Sequence, residues 1–504
     1  MTRRRAARAA LAALTATAVA GALAGCSDGE PSVSGPATLP TSTAATASPP
    51  ATGSTARPAP TADVDPDLAV AVNEPVEDSV YPEVGEPDVD ALHYDLALDW
   101  APDTATLEAT QTLTFRAATT GDSFQLDLAE PLEVSTARLD GRDVEVRHDG
   151  DDLVVRAAVE TGEQYALELA YAGSPEPVPA PTTRSDFSTL GWTVTADGEA
   201  WTMQEPYGAH SWYAVNDHPS DKALYDFTIT TDAPFVGVAN GELTSRRTRN
   251  GRTETRWHLA EPAASYLITV AVGDYQRWDD ESPSGVPISY WVPRDETRWQ
   301  VPLSATPEAL RWVEGKLGDY PFDTLGVLLV DSRSGMETQT MITLGTTRYA
   351  TSPEVLVHEI VHHWWGNQVT PNDWRDLWMN EGMAMYLQWV YEAEVGGQSI
   401  DAVIDRWVPY EQSLRALHGP PGDFDPDSFG ESNVYFGGGM LWHAVRQRVG
   451  DDAFWDAASG WPASRDNGHA GRDELIAWWE ERTGESLRDL FDAWLTSPTS
   501  PELE

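Results

Sequence analysis

The pentad His358-Glu359-Ile360-Val361-His362 constrains this chain more than any other five residues. In an α-helix, residues four apart share a face and lie about 6 Å apart along the axis. Two imidazoles so spaced can reach one metal ion, and zinc takes His nitrogens at about 2.0–2.1 Å. Glu359, beside the first His, points into the same cleft, where it can take a proton from metal-bound water. The pattern asks for a helix over 354–367 and for a third ligand from elsewhere. Asn380-Glu381 offers one: eighteen residues separate His362 from Glu381, and Gly382 and a helical stretch follow. Two His and one carboxylate leave a fourth zinc position open for water, as a catalytic site requires. The residues alone point to a zinc hydrolase. His363 faces about 100° away from His362 and is assigned to packing.

Charge and cysteine content narrow the chemistry. Of 504 residues, 33 are Lys or Arg and 80 are Asp or Glu, a formal net charge of −47. Nucleic acid and anionic membrane surfaces both call for a basic footprint, so the balance argues against either as a partner through protein charge. The single cysteine rules out an intramolecular disulfide framework and any Cys-based zinc cluster. Metal chemistry is left to His and carboxylates. No Gly-x-Ser-x-Gly elbow, phosphate-cradling loop or dinucleotide fingerprint is present.

The lone cysteine sits at an informative place. Arg3, Arg4, Arg5 and Arg8 precede an Ala/Leu/Val-rich run that ends Leu23-Ala24-Gly25-Cys26. A charged start and a short apolar run have the layout of a secretory signal, over residues 1–25. The ending resembles the bacterial lipobox, which implies lipid attachment at Cys26 and a protein held by acyl chains on the outer face of the bacterial cell membrane. Residues 26–77, rich in Pro, Thr, Ala and Ser, read as a flexible tether.

Two folded domains follow, an α+β chain overall. Over 78–275, Tyr94, Leu96 and Leu98 alternate with polar or small residues, as do Phe124, Leu126 and Leu128, and Tyr165, Leu167, Leu169 and Tyr171. That period of two, with turn signals at Asp140-Gly141, Asp149-Gly150 and Asn240-Gly241, reads as an all-β domain. Over 276–504 the apolar spacing becomes helical at 307–317, 354–367, 380–395, 433–449 and 472–483, interrupted by one buried strand, Leu325 to Val330.

HEIVHHWWGNQVTPNDWRDLWMNEG (358–382) resembles the aminopeptidase N family of zinc metallopeptidases, members of the gluzincins. Segments 81–99, 204–229, 265–275, 320–340 and 434–441 agree with the family in the same order, so the likeness spans roughly 78 to 500. It implies a saddle-like N-terminal β-sheet domain packed on a thermolysin-like, mainly helical catalytic domain. One zinc ion would be held by His358, His362 and Glu381, with Glu359 as general base.

The resemblance also implies substrate-binding roles. Ser334-Gly335-Met336-Glu337-Thr338 is similar to the family's Gly-Ala-Met-Glu-Asn segment, which places Glu337 against the substrate amine, flanked by Gly335 and Met336. Glu205 matches the second amine-anchoring glutamate, and Tyr435 the tyrosine that hydrogen-bonds the oxyanion. Met203, Gln204 and Met336 are candidates to line the pocket for the first side chain. Four positions depart from the family pattern: Gly335 for alanine, Thr338 for asparagine, Gly437 for a basic residue and Gln388 for a glutamate. The expected activity is removal of N-terminal residues from peptides with a free N-terminus, outside the cell. The alternatives are an epoxide hydrolase or endopeptidase on the same scaffold, or a lipid-anchored binding protein with a vestigial site.

Overall fold

The computed structural model describes residues 65–465 and 467–503, all within one compact unit spanning 56–504. The expected signal segment, Cys26 and most of the expected tether lie outside the described residues. Within the range 26–77 expected as tether, the described residues from Pro66 onward join the fold. Asp65 caps a short 3-10 helix, Pro66–Ala71, by accepting from the Asp67 amide. Ala71 is buried against Leu92. The Asn73 amide then donates to the Lys222 carbonyl at 2.7 Å, and its backbone N–H donates to Asp90. Side-chain bonds to a neighbouring strand hold a segment that has little apolar surface to bury.

The first half of the described chain is built of sheets. Eight strands pair in the order Glu242–Arg249, Arg252–Ala264, Lys222–Asp232, Val89–Ala101, Thr106–Ala117, Gln164–Gly173, Leu132–Leu139 and Arg142–Asp143. Val89–Ala101 runs parallel to Lys222–Asp232 and antiparallel to Thr106–Ala117. Its alternation is the expected one, with Tyr94, Leu96 and Leu98 turned into the core. Asp140-Gly141 makes a tight hairpin with both residues at positive φ, the geometry that favours such pairs. Asn240-Gly241 does something else. It carries the chain from the five-stranded sheet that includes Val236–Ala239 into the eight-stranded one, and the Asn240 amide donates to the carbonyls of Leu267 and Gln339. What reads as a hairpin turn is a docking point between the two halves.

The second half opens on a sheet of its own. Tyr275–Glu281, Pro287–Pro293, Leu325–Val330, Met341–Gly345 and Gly335–Met336 pair in that order, so the expected single strand is the middle one of five, paired with Pro287–Pro293 and Met341–Gly345. Leu325–Val330 is buried on both faces, which is why its six apolar residues are continuous. Met341–Gly345 is just as buried, but at five residues it is too short to declare a period.

Helices Thr306–Leu317, Pro353–His362, Trp378–Gly396, Ser432–Val449 and Arg472–Thr483 lie where helical spacing places them. Val408–His418, Asp451–Ala463 and Arg488–Thr496 add to them. The helix bearing the pentad stops at His362 rather than 367, since Trp364 and Trp365 turn back and Gly366 takes a φ of 129°. A Cβ on Gly366 would come within 3.3 Å of His362 Nδ1.

Candidate active site

The helix Pro353–His362 starts on Ser352, whose hydroxyl accepts from the Val355 amide, with Pro353 in the first turn. It carries His358 and His362 on one face, ring centroids 4.9 Å apart. The next long helix, Trp378–Gly396, crosses so that Glu381 faces both. Glu381 Oε2 lies 3.2 Å from His358 Nε2 and 3.4 Å from His362 Nε2. One nitrogen or oxygen from each of the three residues falls within 4.8 Å of the others, and all three side chains are buried. His362 Nδ1 lies 3.1 Å from the Trp365 carbonyl. Donation there would fix the tautomer whose Nε2 is available to a metal ion.

The charge of the pocket supports the same conclusion. Four buried carboxylates, Glu205, Glu337, Glu359 and Glu381, line one cleft with the two imidazoles. Burial raises Glu381, yet His362 and His358 more than reverse this and hold it well below the usual carboxylate range. Burial would lower His362, but Glu337 and Glu381 outweigh it and push the ring up to about 10. Glu205 goes the other way: burial, then Glu337 and Glu381, drives it well above its ordinary value. A site that forces its acids apart in this way is short of positive charge. A divalent cation among His358, His362 and Glu381 relieves it, and the two-nitrogen, one-oxygen donor set suits zinc.

Glu205 and Glu337 line the same cleft. Together with Glu381 they bring one carboxylate oxygen each within 4.8 Å. Glu205 Oε1 and Glu337 Oε1 are both buried with no hydrogen-bond partner among the described residues. Unpartnered buried carboxylate oxygens are costly unless a ligand completes them. Glu205 follows the strand Ala200–Met203 of the first half, and Glu337 follows Gly335–Met336 of the second, so the pair straddles the seam.

Glu359 shares the cleft wall with Gly335. A Cβ on Gly335 would lie 2.6 Å from Glu359 Oε1. The alanine that the resemblance places there would therefore displace the carboxylate, and the glycine lets it rest on bare backbone. Burial, with Glu337 and Glu381, raises Glu359 well above its ordinary value against the opposing pull of His362. Tyr435 projects from the helix Ser432–Val449 and stacks on His358, ring centroids 5.9 Å apart.

The remaining expectations divide. Met336 lines the cleft, but Met203 and Gln204 do not. The Gln204 amide is consumed by the Ser265 carbonyl at 2.7 Å and Trp212 Nε1 at 2.9 Å, so it braces the fold behind Glu205. Thr338 is fully buried and bonds Thr343, away from substrate space. Gln388 does line the cleft. Gly437 does not line the cleft, and a Cβ there would come within 2.9 Å of the Pro421 ring. His363 is buried against Phe322, its Nδ1 2.7 Å from the Tyr320 hydroxyl, and burial brings it down to about 3. It packs, as expected.

Sequence reasoning missed Arg184, Asp186, Phe187, Arg333 and Tyr349, which also line the cleft. Arg333 lies within the family-like segment 320–340, directly before Ser334, whereas Arg184, Asp186 and Phe187 lie more than 170 residues from the pentad in sequence.

Comparison with known proteins agrees with this architecture. Residues 90–267 match the model of the peptidase M1 N-terminal domain, and 301–494 that of the peptidase family M1 domain. Aminopeptidase 2 of Candida albicans is 24% identical over 453 residues, covering 82% of this chain and 47% of its own. Aminopeptidase N of Haemophilus influenzae is 22% identical over 392 residues, covering 71% of this chain and 43% of its own. The chain thus spans about half the length of these relatives. A crystal structure of an M1 zinc metallopeptidase mutant from Deinococcus radiodurans, bound to a Tyr-Ser-Ala substrate, superposes with a TM-score of 0.76 at 27% identity. It covers 85% of this chain and 99% of that one.

Proposed function

The chain belongs to peptidase family M1, and from that premise we propose that it is a zinc aminopeptidase, hydrolysing the first peptide bond of substrates with a free N-terminus. The observation that carries this reading is the pair of buried, unpartnered carboxylate oxygens on Glu205 and Glu337, set beside the His358, His362 and Glu381 triangle. A substrate ammonium satisfies both oxygens at once by charge-assisted hydrogen bonds. Holding the ammonium there fixes the register, so that only the first carbonyl reaches the metal site.

His358, His362 and Glu381 would hold a zinc ion, which would supply Lewis-acid polarisation of that carbonyl and acidity for a water. Glu359 receives the water proton and passes it to the leaving amine. Tyr435 donates its phenolic hydrogen to the carbonyl oxygen as negative charge develops there.

The test is a comparison of fluorogenic aminoacyl substrates with their N-acetylated forms, using the purified protein with and without a zinc chelator. Free-amine substrates should be cleaved, acetylated ones should not, and the chelator should stop the reaction. Equal cleavage of acetylated substrates would establish an endopeptidase instead.

The reading extends to location. Arg3 to Arg5, the apolar run and Leu23-Ala24-Gly25-Cys26 support a lipoprotein anchored at Cys26 on the outer face of the cell membrane, with the catalytic unit outside. Labelled palmitate should enter the wild-type protein in its host and not a Cys26→Ser variant.

A further inference from the structure

Five consecutive residues of the cleft wall, Arg333-Ser334-Gly335-Met336-Glu337, carry opposite charges at their two ends. Glu337 is buried, and its Oε1 has no partner among the described residues. Arg333, at the other end, is exposed. Between them Gly335 is the bare backbone against which Glu359 rests. The segment is pinned to the second sheet. The Gly345 amide donates to the Ser334 carbonyl at 2.7 Å, and the Ser332 amide to the Val330 carbonyl at 2.8 Å. The Ser334 amide donates to the Ser332 hydroxyl at 3.2 Å. The order of groups along the wall is therefore fixed: amine anchor, base, cation.

Two arginines line the cleft, and they differ in how they are engaged. Arg184 donates to the Asp186 carboxylate at 2.9 Å and to the Gly430 carbonyl at 2.8 Å. Arg333 makes no hydrogen bond or ion pair among the described residues. Asp186, on which its charge acts, is already bound by Arg184. A cation on the wall of an acid-lined cleft repels the ammonium that the acids attract. That opposition is offset where the cation meets an anion on the same substrate.

Resting on the aminopeptidase reading above, we infer that Arg333 is a specificity-determining residue, binding a substrate carboxylate one or two residues beyond the cleaved bond. The first and last Cα atoms of the five-residue segment are at most about 14 Å apart, and an extended di- or tripeptide spans roughly 7–11 Å. Side chains reaching in from both ends close the difference. Such a peptide carries its ammonium, first peptide bond and terminal carboxylate in the same order as Glu337, Glu359 and Arg333. The planar guanidinium suits a carboxylate through paired hydrogen bonds. An aspartate or glutamate side chain just past the cleaved bond offers the same group. Exposed pairs of this kind contribute modestly, so the selectivity is graded.

The test follows release of alanine by the purified protein from three pairs of peptides: Ala-Ala and its C-terminal amide, Ala-Ala-Ala and its amide, and Ala-Asp-amide against Ala-Asn-amide. Wild type should favour the carboxylate member by about three- to tenfold in kcat/KM, mostly through KM. In Arg333→Gln the preference should shrink to less than about 1.5-fold, by loss on the carboxylates alone, with the neutral peptides and the zinc content unchanged. Arg333→Lys should keep part of it. Raising salt from about 0.05 to 0.5 M should compress the preference in wild type and not in Arg333→Gln.

The pairs separate the two sources of the carboxylate. A preference in the first two assigns it to the chain terminus, and one in the third alone assigns it to an acidic side chain. Arg246→Gln, on the exposed face of the strand Glu242–Arg249, removes the same charge elsewhere and should leave the preference intact. A wild type indifferent to the carboxylate, an undiminished preference in Arg333→Gln, or equal losses on charged and neutral peptides would overturn the assignment. Wild-type protein that cleaves none of these peptides, nor the fluorogenic aminoacyl substrates, would sink the aminopeptidase reading itself. Active wild type that cleaves both members of every pair alike would sink only the role of Arg333.

Discussion

Glu359 and Gly335 work as a pair, because the carboxylate rests where a side chain on residue 335 would be. Gly335→Val should therefore push the base out of line and lower kcat at least tenfold, while zinc content, measured by mass spectrometry, is unchanged. Glu359→Gln should likewise keep its zinc and lose about 10²- to 10⁴-fold in turnover, the usual contribution of a positioned base. A second residue-scale prediction concerns His218, whose Nδ1 accepts from Ser220 while its Nε2 is buried with no partner among the described residues. Burial, then His469, lowers it to about 4, so it stays neutral in the folded state but takes a proton near 6.5 once unfolded. Its contribution to stability is complete above pH 6.5 and is lost as pH falls toward 4. Denaturant titrations of a His218→Gln variant should show a stability–pH slope flatter by about 1.4 kcal/mol per unit in that window. An identical slope would mean that His218 does not titrate as described. The contrast in legibility is physical. His358, Glu359 and His362 can be read because helix geometry turns spacing into proximity, and Glu381 follows from the ligand they lack. Glu205 and Glu337 came only through family resemblance, since nothing local marks two acids among 80. Arg184 gave no signal: its partner Gly430 is 246 residues away.

At the scale of elements, the crossing of two helices sets the metal site against the tyrosine. Gly382 follows the ligand Glu381, and Gly438 lies three residues beyond Tyr435. A Cβ on either would stand 2.7 Å from backbone atoms of the other. The helices Trp378–Gly396 and Ser432–Val449 therefore touch main chain to main chain. Gly438→Ala should destabilise the protein by about 1–3 kcal/mol or more, and should cost activity by spreading Glu381 from Tyr435. The same substitution should have the opposite sign at Gly315, in the helix Thr306–Leu317, where a Cβ meets nothing within 4 Å. Gly315→Ala should stabilise by about 0.5–1 kcal/mol through helix propensity, with activity unchanged. Thermal melts and assays of both variants test the pair together. The long helices are legible because their apolar period runs over many residues. The second sheet is mostly hidden, because Gly335–Met336 and Met341–Gly345 are too short to show a period, yet they carry the wall beneath Glu337 and Glu359.

For the whole molecule, the question is whether the two halves unfold separately. Polar groups tie them at the site itself. Lys222, from the eight-stranded sheet, donates to the carbonyls of Asn367 and Gln368 just beyond the His358 helix. The Tyr266 hydroxyl donates to the Gly366 carbonyl in that turn, and Asn240 to the carbonyl of Gln339, two residues past Glu337. Separating the halves would leave these buried groups unpaired along with the apolar surface around them, a cost shared by both. The molecule should thus melt in one cooperative transition, with calorimetric and van't Hoff enthalpies close to equal. Zinc enters the same equilibrium, because a metal that binds only the folded state adds about 4 kcal/mol at a thousandfold excess over its Kd. With an unfolding entropy of roughly 2.1 cal/mol/K per residue, a chain of this size should lose on the order of 4 °C in Tm when zinc is chelated, and that loss should appear as a shift of the single transition. Two separate transitions, with only the later-melting one moved by the chelator, would show that the seam carries Glu205 and Arg184 to the site without coupling the stability of the halves that meet there.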